Sequence, residues 1–139
     1  MASKWILVAL LAFQVHFAAS YLVPLDTQSQ AEFGGLLRWL WPWAYGDGGL
    51  LGQVTPTSGF PIAGFYVAAA AAGVFALAAL AVAGIWVQPA WWRPLASIGA
   101  ALLLCLMVLF FGPTKLVPMA FALGTLYVSV AKPEAFATA

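Results

Sequence analysis

The sequence predicts an all-α, polytopic membrane protein: four transmembrane helices, with one interfacial amphipathic helix in the first loop. Three observations predict it. Hydrophobic residues make up 65% of the 139-residue chain and charged residues only 6%, where ordinary soluble domains run at about 45–50% and about 25%. Four apolar runs approach the roughly 20 residues that a helix needs to cross a bilayer. The tryptophans cluster beside the ends of those runs, as expected for side chains that favour the membrane–water interface.

The first span covers residues 5–23 of "KWILVALLAFQVHFAASYLV". Lys4, the apolar stretch and the small residues Ala18, Ala19 and Ser20 imitate a signal peptide, but a retained membrane helix is expected. The second span, 62–87, is long enough to need tilt. "QPAWWRP" (88–94) breaks the chain, its prolines marking the stop. The third span is 95–111. "GPTK" (112–115) is a tight turn into the short fourth span, 116–130, so the last two spans form an antiparallel hairpin. Pro118 falls in the first turn, where a missing N–H is tolerated.

Four spans put both termini on one side, with Lys4, Arg93 and Lys132. Arg38 and Lys115 lie opposite, with Asp26, Glu32 and Asp47. The positive-inside rule then places the termini in the cytoplasm, by three basic residues to two. The expected location is a bacterial inner membrane. The four-span arrangement sets Trp5, Trp86, Trp91 and Trp92 at the terminal side and Trp39, Trp41 and Trp43 at the other.

Residues 24–61 form the one substantial extramembrane loop. "SQAE" (29–32) fits a capping box. Phe33, Leu36, Leu37, Leu40 and Trp41 then share one helical face, and Pro42 ends the pattern. This reads as an interfacial helix capping the bundle. The sharper alternative makes Phe33, Leu36, Leu37, Arg38, Leu40 and Trp41 a docking surface, since aromatics and Arg are enriched at interfaces. "GDGG" (46–49) matches no phosphate-loop pattern and reads as turn chemistry.

Small residues recur along the second span: Gly64, Ala68, Ala72, Ala76, Ala79 and Ala83. Steps of three and four keep them on one face, where close backbone approach lets helices associate in lipid. Packing within the bundle is the plainer reading. Packing against another subunit, or against a flat cofactor such as a carotenoid or chlorin, is the alternative.

Charge and polarity exclude several function classes. Five basic and four acidic residues give nucleic-acid binding no electrostatic support. One cysteine, Cys105, and one histidine, His16, suggest no metal cluster. All nine charges lie at span ends or in loops, whereas ion paths and proton relays place them inside. No catalytic residues are assigned, and a non-enzyme is expected. Besides tyrosines and Ser20 near the end of the first span, the polar side chains within the spans are Gln14, His16, Ser97, Thr125 and Ser129.

His16 is the best single candidate for a functional residue. In hydrocarbon an unpaired imidazole costs about 2–7 kcal/mol, so it needs a partner. A hydrogen bond to another helix is the favoured one. Axial ligation of a tetrapyrrole is the alternative, helped by the small neighbours Ala9, Ala12, Ala19 and Ser20. The resulting expectation is a non-catalytic accessory subunit of a larger membrane complex, of respiratory or photosynthetic electron transport. A tetrapyrrole, carotenoid or quinone would lie at a subunit interface, and the partners would be the lipid bilayer and other membrane subunits. The competing expectations are a pigment- or haem-binding protein using His16 and, behind it, a small transporter or channel.

Overall fold

A computed structural model describes residues 2–22, 62–109 and 115–131. The described residues form four α-helices: α1 (Ala2–Ala19), α2 (Ile62–Ala83), α3 (Trp92–Leu109) and α4 (Leu116–Ala131). Short 3-10 turns follow α1 (Ser20–Leu22) and precede α3 (Pro89–Trp91). The first-loop helix expected around Phe33–Trp41 and the "GDGG" turn lie outside the described residues.

Three helices are long and apolar enough to cross a membrane; α4 is apolar but shorter. Its 16 residues rise about 24 Å at about 1.5 Å each, against a hydrocarbon core of about 30 Å. The four-span expectation thus becomes three full-length helices and one short one.

The helices alternate in direction, each packing on the next. Lys4 at the start of α1 reaches Gly84 just after α2. Arg93 at the start of α3 meets Ser129 near the end of α4. At the other end Lys115 lies over the Tyr21 ring. The starts of α1 and α3 therefore share one end of the bundle with the ends of α2 and α4.

The buried positions follow alternating steps of four and three. In α1 they include Leu7, Leu11, Gln14 and Ala18, continued by Tyr21 in the 3-10 turn, and in α2 Gly64, Ala68, Ala71, Phe75, Ala78 and Val82. Such steps average 3.5 residues and hold one seam toward neighbouring helices. Phe17, Phe75, Leu11, Leu103, Leu106 and Met107 are the large, fully buried side chains. Outward-facing residues are mostly apolar too, among them Trp5, Phe65, Tyr66, Leu77, Ile98, Leu123 and Val130.

α2 ends four residues before the expected boundary at Val87, because Gly84 stops it. Gly84 has φ +76°, a left-handed conformation in which glycine carries no Cβ penalty. Its N–H donates to Ala81 O (3.1 Å), and Ile85 N–H donates to Leu80 O (2.9 Å). This pair of bonds is the Schellman arrangement, which satisfies the last helical carbonyls. The chain then folds tightly over Trp86, itself at φ +59°, with Val87 N–H donating to Ile85 O at 2.6 Å. α3 starts three residues earlier than expected, and Pro94 sits harmlessly in its first turn. α1 ends where the Ser20 hydroxyl donates to Phe17 O (2.6 Å) and the helix tightens into its 3-10 turn.

Candidate functional site

Four of the five polar side chains singled out within the spans are joined across helices. Gln14 of α1 is fully buried, and its Nε2 donates to Thr125 Oγ1 of α4 at 2.6 Å. Thr125 Oγ1 in turn donates to Phe121 O at 2.9 Å. With that hydroxyl hydrogen committed, the amide nitrogen must face Thr125. Gln14 Oε1 is left buried with no hydrogen-bond partner among the described residues.

The second set ties α3 to α4. Ser129 Oγ donates back to Leu126 O (3.0 Å), so in the 2.8 Å contact between the Ser97 and Ser129 hydroxyls Ser97 is the donor. Arg93 Nε donates to Ser129 O at 3.1 Å. The signal for this ladder was in the spacing. Arg93 and Ser97 are four apart, as are Thr125 and Ser129, so each pair lies on one helical face.

His16 is half-buried on α1. Its ring stacks on Phe13, with centroids 6.1 Å apart and planes at 19°. Phe13 also meets Phe17 edge-on (4.5 Å) and Phe121 of α4 (5.8 Å). His16 thus stands beside an aromatic cluster joining α1 to α4. Sequence reasoning missed that cluster, because contact between α1 and α4 has no local sequence signal.

The small-residue line of α2 shares Gly64 and Ala68 with the buried seam and then diverges from it. Four residues overshoot a full turn by about 40° at 3.6 residues per turn, so repeated steps of four drift off the seam. Ala72, Ala76, Ala79 and Ala83 are accordingly half-buried. Of these, Ala72 and Ala79 pack against the core. The fully buried line runs through Ala71, Phe75 and Ala78.

α1 and α4 do not close fully on each other along their length. They leave a groove of ≈ 370 Å³ walled by Leu7, Leu10, Phe121, Gly124 and Val128, with Trp92 of α3 and the smaller Ala120 and Thr125. At the end of the bundle opposite Lys4, Lys115 is only 5% exposed, with its ammonium 5.3 Å from the Tyr21 ring centre. Burial lowers its pKa to about 8, since a desolvated ammonium is disfavoured. Cys105 faces outward from α3. The docking residues Phe33, Leu36, Leu37, Arg38, Leu40 and Trp41, and all four carboxylate side chains, lie outside the described residues. Comparison with protein-family models, with curated proteins and with solved structures finds no match to this chain.

Proposed function

We propose that the chain is an integral membrane protein serving as a non-catalytic structural subunit of a larger membrane assembly, one of respiratory or photosynthetic electron transport. The observation that carries this reading is where the interior polar groups are used. Gln14 with Thr125, and Ser97 with Ser129, bond one helix to another. They are occupied in holding the bundle together. The outer surface supports the membrane half of the reading: α1, α2 and α3 bury only a third of their most apolar stretches. Apolar surface on that scale suits lipid or neighbouring subunits rather than water.

A bacterial inner membrane with cytoplasmic termini fits the placement of Lys4 and Arg93 at one end of the bundle. A tetrapyrrole, carotenoid or quinone at the subunit boundary would lie against the aromatic cluster around His16, or along Ala76 and Ala83.

The test is extraction of the tagged chain from its native membrane in mild detergent, followed by native mass spectrometry and absorption spectroscopy. A defined hetero-oligomer is the expected result. A single chain that is stable and active alone, in flux or in turnover, overturns the subunit reading. A visible absorption band that belongs to the isolated chain and disappears in His16→Ala would favour the pigment- or haem-binding alternative.

A further inference from the structure

We propose that the groove between α1 and α4 holds one acyl chain of an anionic phospholipid, whose phosphate is bound by Lys4 and Arg93. The inference rests on the membrane reading above and adds a ligand to it.

The wall chemistry selects hydrocarbon. Leu7, Leu10, Trp92, Phe121 and Val128 face the space. Its one hydroxyl, on Thr125, already donates to Phe121 O and accepts from Gln14. A water molecule needs two to four polar partners, and this lining does not offer them. The α4 wall runs from Ala120 to Val128, about 12 Å at about 1.5 Å per residue. That suits a length of extended chain rather than a compact solute.

The charge at one end selects the headgroup. Lys4, Arg93 and Lys115 are the described charged residues. Two of these three cations lie at the end of the bundle that carries the wall residues Leu7, Trp92 and Val128. Lys4 precedes Leu7 by one turn of α1, and its ammonium reaches toward Gly84 at that same end. Arg93 follows the wall residue Trp92, and its Nε–H bond ties the guanidinium to the Ser129 carbonyl, one residue beyond the wall residue Val128. The other guanidinium N–H groups form the planar fork that binds phosphate oxygens in pairs. Trp5, Trp86 and Trp91 are exposed at this same end, the headgroup level that tryptophan favours.

The experiment uses the full chain in nanodiscs made from equal parts phosphatidylglycerol and phosphatidylcholine, with retained lipid read by native mass spectrometry. The wild type should retain one phosphatidylglycerol in preference to phosphatidylcholine. Lys4→Gln and Arg93→Gln should each lower that preference, by about fivefold per cation. Gly124→Leu should abolish retention of either lipid by filling the groove. A Cβ at Gly124 meets nothing within 4 Å, so the added side chain starts into open space, and helix content by circular dichroism checks that the variant folds. Retention unchanged in Gly124→Leu, or a preference untouched by both charge variants, overturns the proposal. So does loss of a stoichiometric protein partner from native membranes on Gly124→Leu, which would make the groove a helix-docking notch. Carbonate extraction of native membranes separates the two readings. A chain released as soluble protein sinks the membrane reading itself, whereas a membrane-retained chain without bound lipid sinks only this one.

Discussion

Gly99→Ala tests how tightly α3 lies on α2. A Cβ built at Gly99 would lie 3.0 Å from Phe75 Cδ1 and 3.1 Å from Cε1 and Cγ. Comfortable carbon–carbon contact begins at about 3.5 Å, so ring and helix must part by about 0.5 Å. Phe75 is fully buried, so its ring has no free side to yield toward. Forcing a methyl group into such a core costs about 1–3 kcal/mol. Alanine's better helix propensity returns about 1 kcal/mol. The net expectation is destabilisation of up to about 2 kcal/mol. Gly73→Ala in α2 is the internal control, because a Cβ there meets nothing within 4 Å and only the propensity gain remains. The separation between the two variants is therefore the packing term alone, about 1–3 kcal/mol. Both are compared in mixed micelles by titrating a denaturing detergent while following helix content by circular dichroism. Phe75→Leu in the Gly99→Ala background should recover part of the loss, since leucine lacks the ring edge. If Gly99→Ala proves as stable as Gly73→Ala, the close packing of α2 and α3 at this point is wrong.

Three further outcomes are expected. Thr125→Val should destabilise the bundle by about 1–3 kcal/mol by leaving the buried Gln14 amide without its partner, whereas Gln14→Leu, which also removes an unpartnered oxygen, should be near neutral; detergent denaturation of both singles and the double variant checks the asymmetry. The Lys115 pKa of about 8 lies below its ordinary 10.5, so the unfolded chain binds more protons between those values. Stability should therefore rise with pH across that window and be lower below it, and Lys115→Met should flatten the slope in denaturation curves taken along a pH series. Trp86→Gly should raise stability by up to about 2 kcal/mol, because Trp86 holds a positive φ that costs a non-glycine residue about 1–3 kcal/mol, against up to about 1 kcal/mol for the extra freedom of glycine in the unfolded chain, and its side chain is 96% exposed; thermal unfolding in detergent reads the change.

The helical class and the terminal-side tryptophans were legible in the sequence, because length, apolarity and proline position act locally. The α2 boundary was partly legible. Gly84 carried the stop signal, but the apolar run continues through Ile85 and Val87, and hydropathy alone cannot tell a helix from the turn that follows it. The small-residue line of α2 and its buried seam part by one position after Ala68. A four-residue repeat is easy to see in a row of alanines, yet the seam follows alternating steps of four and three. The polar residues were identified individually, but not their pairing. Gln14 and Thr125 are 111 positions apart, and no local pattern links α1 to α4.

The contribution of α4 differs from that of the other helices. Its buried residues are Pro118, Ala122 and Ser129, where α3 buries six. Three interhelical side-chain hydrogen bonds end on α4: Gln14 to Thr125, Ser97 to Ser129, and Arg93 to the Ser129 carbonyl. In a bilayer, apolar contact between helices gains little over contact with lipid, and a single interhelical hydrogen bond averages about 0.6 kcal/mol. Polar contacts therefore carry a larger share of the attachment for α4 than for α2, which packs along a continuous buried seam. At about 24 Å, α4 would be too short to match a bilayer without local thinning or protein cover. Its outer face carries Leu116, Val117, Leu123, Tyr127 and Val130, all more than half exposed. A neighbouring subunit lying along that face would shield the short helix and add the packing that the bundle withholds from it. On the subunit reading, crosslinks from cysteines placed at Leu123 and Tyr127 should therefore outnumber those from cysteines at Phe65 and Leu77 on α2; equal or inverted yields would move the partner to another face.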